Sequence, residues 1–444
     1  MTDRPLRIAF TAYRGNMHCG GQGVYLWFLA RELARIGHEI TVLVGPPWPD
    51  PMPFAREVAR IPNDRFWGKW FLRDRAAFIP SERPLGLLAP LRLWELGASR
   101  IGFFPEPFAF SARAFRDLAR RVGGGARFDV VHDVQCLGWG LLGVRALGLP
   151  VVSTVHHPLT VDRRASFRRD RSLREAIGTV EFHPVGMQGF VARHLDRILT
   201  SSRTCAREIR RDFGVAPGRL REIGNGLDTD LFRPDPTVPR EPTTLLCVGR
   251  ASDPNKGVDV LVEALARLPR PVRVWLVDED HPSHEGRRRA AALGVGDRLQ
   301  VTGRLPTPEL VDRYRRATLV VVPSRYEGFG LPAVEAMACG TPVVATAAGA
   351  LPEVVETGGG GVLVARDDAD ALAKAVGALL EQPEARARLG ARARPRVEGA
   401  YAWPRIAERT AGVYRELLAE RRGQPASTIT SASSGTRRAA ASSA

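Results

Sequence analysis

The chain has 444 residues, 44% hydrophobic and 25% charged. These are the proportions of a soluble globular protein with core enough for two domains of about 200 residues, which excludes a small stapled scaffold and a disordered or fibrous chain. Formal net charge is +16, and the surplus is uneven: residues 1–240 hold 36 basic and 24 acidic side chains, whereas residues 241–400 hold 21 of each.

The chain opens on a strand, Arg7 to Tyr13, without the apolar region of a signal peptide. A Gly-rich loop, Cys19-Gly-Gly-Gln-Gly-Val-Tyr25, leads into a helix from Gly23 to Ile36, with Leu26, Leu29, Ala30 and Leu33 on one face. Strands follow at Ile40–Val44, Val130–His132, Val151–Val155, Ile198–Thr200 and Glu222–Ile223. Pro234, Pro236, Pro239 and Pro242 then interrupt the pattern. A second alternating series runs through Thr244–Val248, Val272–Val277, Leu299–Thr302, Leu319–Val322, Val343–Thr346 and Val362–Val364, and a helix covers Trp403–Arg422. This reads as two α/β, Rossmann-like doubly wound domains facing across a cleft. Their bounds are 1–228 and 244–402, with a Pro-rich linker at 229–243, a C-terminal helix at 403–422 and a disordered tail at 423–444.

Five cysteines, Cys19, Cys136, Cys205, Cys247 and Cys339, form no Cys-x-x-Cys pair and read as reduced thiols in a cytoplasmic protein. No apolar run approaches the roughly 18 to 20 residues of a spanning helix. Only three of 64 basic residues are lysine, namely Lys69, Lys256 and Lys374. The arginine excess reads as genome bias, and a lysine in a phosphate-binding context therefore stands out.

The most informative run is Val320 to Val344. A buried strand ends at Ser324, Gly328 and Gly330 make a turn, and Pro332 sits where a helix would start. N–H groups around Gly330 and Leu331, at the positive end of that helix, form an anion site in the crevice where such folds bind ligands. Glu327 before the turn and Glu335 in the first helical turn are compatible with that site if they accept hydrogen bonds from ligand hydroxyls, such as those of a sugar and a ribose.

This run, with two glutamates eight apart around Glu-Gly-Phe-Gly-Leu-Pro, resembles the retaining glycosyltransferases of family 4, over about residues 5–421. The resemblance implies the GT-B architecture and a metal-independent hexosyltransferase that moves a sugar from a nucleotide-diphosphate donor to an acceptor hydroxyl, with no cofactor. It implies that Glu327 holds donor-sugar hydroxyls and Glu335 the ribose, with Phe329, Gly330 and Leu331 part of the donor site. Arg250 and Lys256, in Val248-Gly-Arg-Ala-Ser-Asp-Pro-Asn-Lys-Gly257, match the family's basic pair for the diphosphate. Gly21 and Gly23 match its glycine loop. His156, at a strand end, aligns with a histidine near the anomeric region, making His156, Glu327, Arg250 and Lys256 the catalytic set. His157 would face acceptor. Asn225, in Asn225-Gly-Leu-Asp228, resembles a cleft segment, and Arg304 follows a strand that in relatives approaches the nucleotide base.

One segment departs from the pattern. Asp278-Glu279-Asp280 stands where relatives have a glycine-containing run; it reads as a variant loop near the cleft rather than a metal motif. The competing readings are a sugar-nucleotide epimerase or phosphorylase of the same architecture, a nicotinamide enzyme and a nucleic-acid-binding protein. Gly45-Pro-Pro47 replaces the acid that the nicotinamide fingerprint needs, and no nucleic-acid-binding motif is present. The basic N-terminal half and two aromatic clusters, Phe66–Phe71 and Phe103–Phe110, point to a lipid-linked acceptor at an anionic membrane surface, with the protein peripheral on its inner face.

Overall fold

The computed structural model describes residues 4–17, 21–63, 88–101, 103–167, 172–182 and 184–423. The expected disordered tail beyond Gly423 and the Phe66–Phe71 cluster lie outside the described residues.

The first apolar runs become β1 (Arg7–Ala12), β2 (Glu39–Val44), β3 (Glu57–Arg60), β4 (Val130–Val134), β5 (Val151–Val155), β6 (Arg197–Thr200) and β7 (Leu220–Glu222). They form one parallel sheet in the order β3-β2-β1-β4-β5-β6-β7. Strands β4, β5 and β6 are buried along their whole length, because helices cover both faces of the sheet. One face packs against the helix Gly21–Arg35 through Leu26, Leu29, Ala30 and Leu33. The other packs against the helices Glu106–Gly123, Val185–His194 and Arg203–Phe213. The edge strand β3 was not expected: Glu-Val-Ala-Arg is too short and too polar to give a period-2 signal.

The second series becomes β8 (Glu241–Val248), β9 (Arg273–Val277), β10 (Leu299–Val301), β11 (Ala317–Val322), β12 (Val343–Thr346) and β13 (Gly361–Val364), a parallel sheet in the order β10-β9-β8-β11-β12-β13. Strand β8 begins inside the expected linker. Pro242 is tolerated in this inner strand because pairing with β9 starts only at Thr244 and the register against β11 shifts there.

The chain crosses between the sheets twice, at Leu227 and Ala402. The two passes touch: Leu227 donates its N–H to Tyr401 O at 2.7 Å and Trp403 donates to Leu227 O at 3.3 Å. The last helix, Trp403–Arg421, therefore returns to the first sheet, where Trp403, Ile406, Ala411, Tyr414 and Leu417 join its core. Sequence periodicity gave the helix but not its partner.

A buried polar chain fixes that helix. Tyr414 bonds His132 Nδ1, His132 Nε2 meets Thr154 Oγ1 at 2.7 Å, and Thr154 meets the Tyr25 hydroxyl at 3.0 Å. Burial pushes His132 down to about 3. Between that value and the ordinary histidine value, the unfolded chain binds the proton and the native protein does not. The contribution of a neutral His132 is thus complete above about pH 6.5 and lost as pH falls toward 3. Asp133 and Glu335, both raised to about 6 by burial, act in the opposite sense. We therefore expect the difference in unfolding free energy between wild type and His132→Gln, measured in urea, to shrink from pH 7 to pH 4.5. A constant difference would contradict the assignment.

Candidate active site

In the second sheet, β11 ends at Val322 and the chain turns through Gly330, whose φ of 96° caps the helix Leu331–Ala338. That positive φ suits glycine, and Pro332 follows at the second helical position. Glu327 lies inside the turn, 9% exposed. Its Oε1 accepts from Lys256 Nζ and from Ser324 Oγ, each at 2.8 Å. Its carbonyl accepts from Ala350 N–H at 2.9 Å.

Lys256 reaches Glu327 because its loop is pinned to the end of β11. Gly257 has φ 61°, and a Cβ there would sit 2.0 Å from Pro323 O; Arg325 N–H donates to Asn255 O at 2.7 Å. Arg250 stands apart on the same loop, two-thirds exposed and 3.9 Å from Asp253.

Several expected residues are placed differently. Glu335 is the fifth residue of its helix, not in the first turn; its Oε2 accepts from the Tyr314 hydroxyl at 2.6 Å. The Phe329 ring is core, edge-on to Tyr401 at 5.2 Å, so only the backbone there can meet a ligand. Arg304 is three-quarters exposed and pairs with Glu279. Asp280 pairs with Arg287 at 2.8 Å, while Asp278 is buried against His284 Nε2 at 2.9 Å and also accepts from Ala251 N–H. The acidic triplet is thus committed to loop structure, and its first member holds the start of the Arg250–Lys256 loop.

In the first sheet, His156 follows the end of β5. Its Nδ1 meets Asn225 Oδ1 at 3.1 Å and its ring stands edge-on to Tyr25 at 4.8 Å, while buried Nε2 has no partner. Burial, reinforced by His157, pushes His156 down to about 4, so it is neutral at neutral pH. His157 Nε2 meets Asp162 at 2.9 Å. Burial opposes protonation of His157, but Asp162, Glu208 and Glu327 outweigh it and raise the pKa. Gly23 is required by packing, since a Cβ would lie 2.2 Å from Asn16 O, whereas one on Gly21 would meet open space. Cys136, Cys205, Cys247 and Cys339 are free and buried.

The two halves are locked at residues that sequence reasoning passed over. Gly328 O accepts from Ser202 Oγ at 2.8 Å and Ser201 Oγ at 3.3 Å. Glu353 accepts the N–H groups of Arg203 and Thr204 at 2.9 and 3.1 Å, occupying the N-terminus of the helix Arg203–Phe213. A Cβ on Gly328 would lie 3.3 Å from His156 O, so the glutamate loop packs directly against the histidine strand end. Gln135, also unforeseen, spans His156 N–H and His157 O at 2.9 Å each.

Two doubly wound parallel sheets meeting at the carboxyl ends of their strands, with Lys256, Glu327 and neutral His156 around a helix N-terminus, define the GT-B class of glycosyltransferase. The chain belongs to glycosyltransferase family 4. Residues 88–231 match the family model described as Glycosyltransferase Family 4, and residues 228–396 the model described as Glycosyl transferases group 1. The chain is 40% identical to the MMP alpha-(1->4)-mannosyltransferase of Mycolicibacterium hassiacum, over 93% of this chain and 99% of that protein. It is 32% identical to the D-inositol 3-phosphate glycosyltransferase of Acidothermus cellulolyticus, over 94% and 92%. Among solved structures, it is similar to sucrose-phosphate synthase from Thermosynechococcus elongatus, with TM-score 0.68 and 26% identity, covering 94% of this chain and all of that one. It also shares the fold of Anabaena HepE in complex with UDP, with TM-score 0.66 and 20% identity over 92% and 100%. Among the described residues no helix is long and apolar enough to cross a membrane.

Proposed function

We propose that the chain transfers a hexose, with retention at the anomeric carbon and without a metal, from a nucleotide-diphosphate sugar to an acceptor hydroxyl. The observation that carries this reading is the Lys256–Glu327–Ser324 constellation beside the helix N-terminus at Gly330, facing His156. Lys256 and that helix end stabilise charge growing on the departing diphosphate, with Arg250 at the rim. Glu327 accepts hydrogen bonds from donor-sugar hydroxyls, and His156, whose buried Nε2 has no partner, borders the same site. The bond from C1 to the phosphate oxygen breaks, that oxygen takes the acceptor's proton, and the acceptor oxygen bonds C1 from the same face. The name of the Mycolicibacterium relative makes mannose the first sugar to test, and HepE binds UDP.

A lipid-linked acceptor rests on less than the sequence promised. Phe104 and Phe110 are buried and Phe108 packs on the same core, with its ring 4.4 Å from Trp94. Phe108 and Phe110 pack inward because they lie on the helix Glu106–Gly123, which turns its apolar face onto the first sheet. The proposal of a peripheral membrane site rests on the basic surplus of the N-terminal half and on the Phe66–Phe71 cluster, which lies outside the described residues. Sedimentation with anionic liposomes decides it, and equal recovery with and without liposomes would remove it.

For the reaction, purified protein is incubated with GDP- and UDP-linked mannose and glucose and a mannosyl or glucosyl acceptor. We expect product with an α-linkage from one donor and rates within twofold after EDTA treatment. Inverted product, or loss of activity with EDTA and rescue by manganese, would overturn the retaining, metal-independent reading.

A further inference from the structure

Strands β4 and β5 run side by side in register until Val134 meets Thr154. One residue later their backbones part, and the next residue of β4 bridges the gap with its side chain. Gln135 Oε1 accepts His156 N–H and its Nε2 donates to His157 O, each at 2.9 Å. A side-chain amide, with its acceptor and donor at the spacing of a peptide group, thus supplies one more rung to the ladder exactly where the chain carrying His156 must leave it.

Holding that amide in place is costly. Both Gln135 and Leu137 have φ of 50°, in the left-handed region that non-glycine residues avoid. The turn is kept there by Asp133, fully buried, whose Oδ2 accepts Cys136 N–H at 3.0 Å, Leu137 N–H at 3.2 Å and Ser153 Oγ at 2.8 Å. Cys136 Sγ adds a contact to Pro107 O at 3.1 Å. Strain at two consecutive odd positions, overdetermined by a buried carboxylate, is the pattern of a feature kept for a site rather than for the fold.

From the other side, Cys205 Sγ donates to His156 O at 3.0 Å and Asn225 meets the ring. Gln135 alone among these takes the backbone N–H of His156 and so sets the direction in which β5 releases it. We propose that Gln135 is a positioning residue for the transfer reaction: its side-chain rung, braced by Asp133, fixes the His156–His157 peptide and with it the His156 ring, whose buried Nε2 has no partner. This rests on the reading that His156 faces the donor sugar.

The test uses the full chain with Gln135→Met, which keeps length and removes both hydrogen bonds, and Gln135→Glu, which keeps the acceptor for His156 N–H but sets a carboxylate oxygen against His157 O. Angstrom-scale misplacement of a reacting group costs on the order of 100-fold. We expect kcat to fall about 10- to 100-fold in Gln135→Met and less in Gln135→Glu. Affinity for the free nucleoside diphosphate, GDP or UDP, should stay within about twofold, and the imidazole 15N shifts of His156 should move. Unchanged kcat and unchanged His156 shifts in both variants would overturn the proposal, as would equal losses of kcat and nucleotide affinity tracking a fall in melting temperature. His156→Ala separates the two levels: wild-type rates there would defeat the reading of His156 itself, whereas a crippled His156→Ala beside an active Gln135→Met would defeat only the clamp.

Discussion

Replacing Glu327 with glutamine should lower turnover by about two to three orders of magnitude, the usual loss when one preorganised polar group at a reacting centre is removed. The amide keeps the shape and one acceptor oxygen, but it no longer neutralises Lys256, 2.8 Å away. Lys256→Ala should lower kcat/KM at least as far, because it removes the cation proposed to face the diphosphate and leaves a nearly buried carboxylate without its lysine partner. That unpaired charge also carries a stability cost, which the partial exposure of Lys256 limits to about 1–3 kcal/mol. Since both changes break the same bond, the double variant should lose much less than the product of the single losses. Initial rates with donor and acceptor, beside thermal unfolding of each variant, check this. Rates within threefold of wild type in either single variant, or simple multiplicative losses, would show that the pair does not act as a unit in transfer.

The sequence told most where a residue's role depends on its immediate neighbours. The turn Glu327–Pro332 reads directly, because Gly330 needs a positive φ and Pro332 suits a helix start, and both are local requirements. The inner strands of both sheets read well for the same reason, as buried parallel strands are continuous apolar runs, whereas the edge strand β3 was missed and β7 was expected two residues too late. What escaped was set by distance. Asp278 read as part of a variant loop near the cleft, and nothing near it in sequence predicts that His284 would close over it. Phe103–Phe110 looked like a surface cluster because the sheet it packs against is built from residues far along the chain. Gln135, Ser201, Ser202 and Glu353 are ordinary polar residues whose partners lie on other elements, so no spacing rule marks them. Glu353 had one faint signal, an acid in the first turn of its own helix, but that explains its presence without pointing to the helix N-terminus it caps across the crevice.

Trp403→Ala should destabilise the protein by about 3–5 kcal/mol, the range for removing a large aromatic side chain from a packed core. The ring is 3% exposed and begins the final helix just after the second crossing between sheets. It stacks on Phe28 with centroids 5.5 Å apart and planes 4° from parallel, and meets Tyr25 edge-on at 5.6 Å. The neighbouring crossing is shaped around it: a Cβ on Gly226 would lie 2.1 Å from the indole. Gly226→Ala should therefore be strongly destabilising in the wild-type background and much less so with Trp403→Ala, where the obstructing ring is gone, so the double variant should be more stable than additive losses allow. Denaturant unfolding of the three variants measures this, and a loss below about 1 kcal/mol in Trp403→Ala would show that the crossing is held elsewhere. The same substitution should reach the chemistry. Tyr25 lies edge-on to Trp403 and also to His156 at 4.8 Å, so a void behind Tyr25 lets it retreat from the imidazole. At temperatures where the variant remains folded, kcat should fall several-fold while free nucleotide still binds, since Lys256 and the helix start at Gly330 belong to the other sheet and do not touch this core.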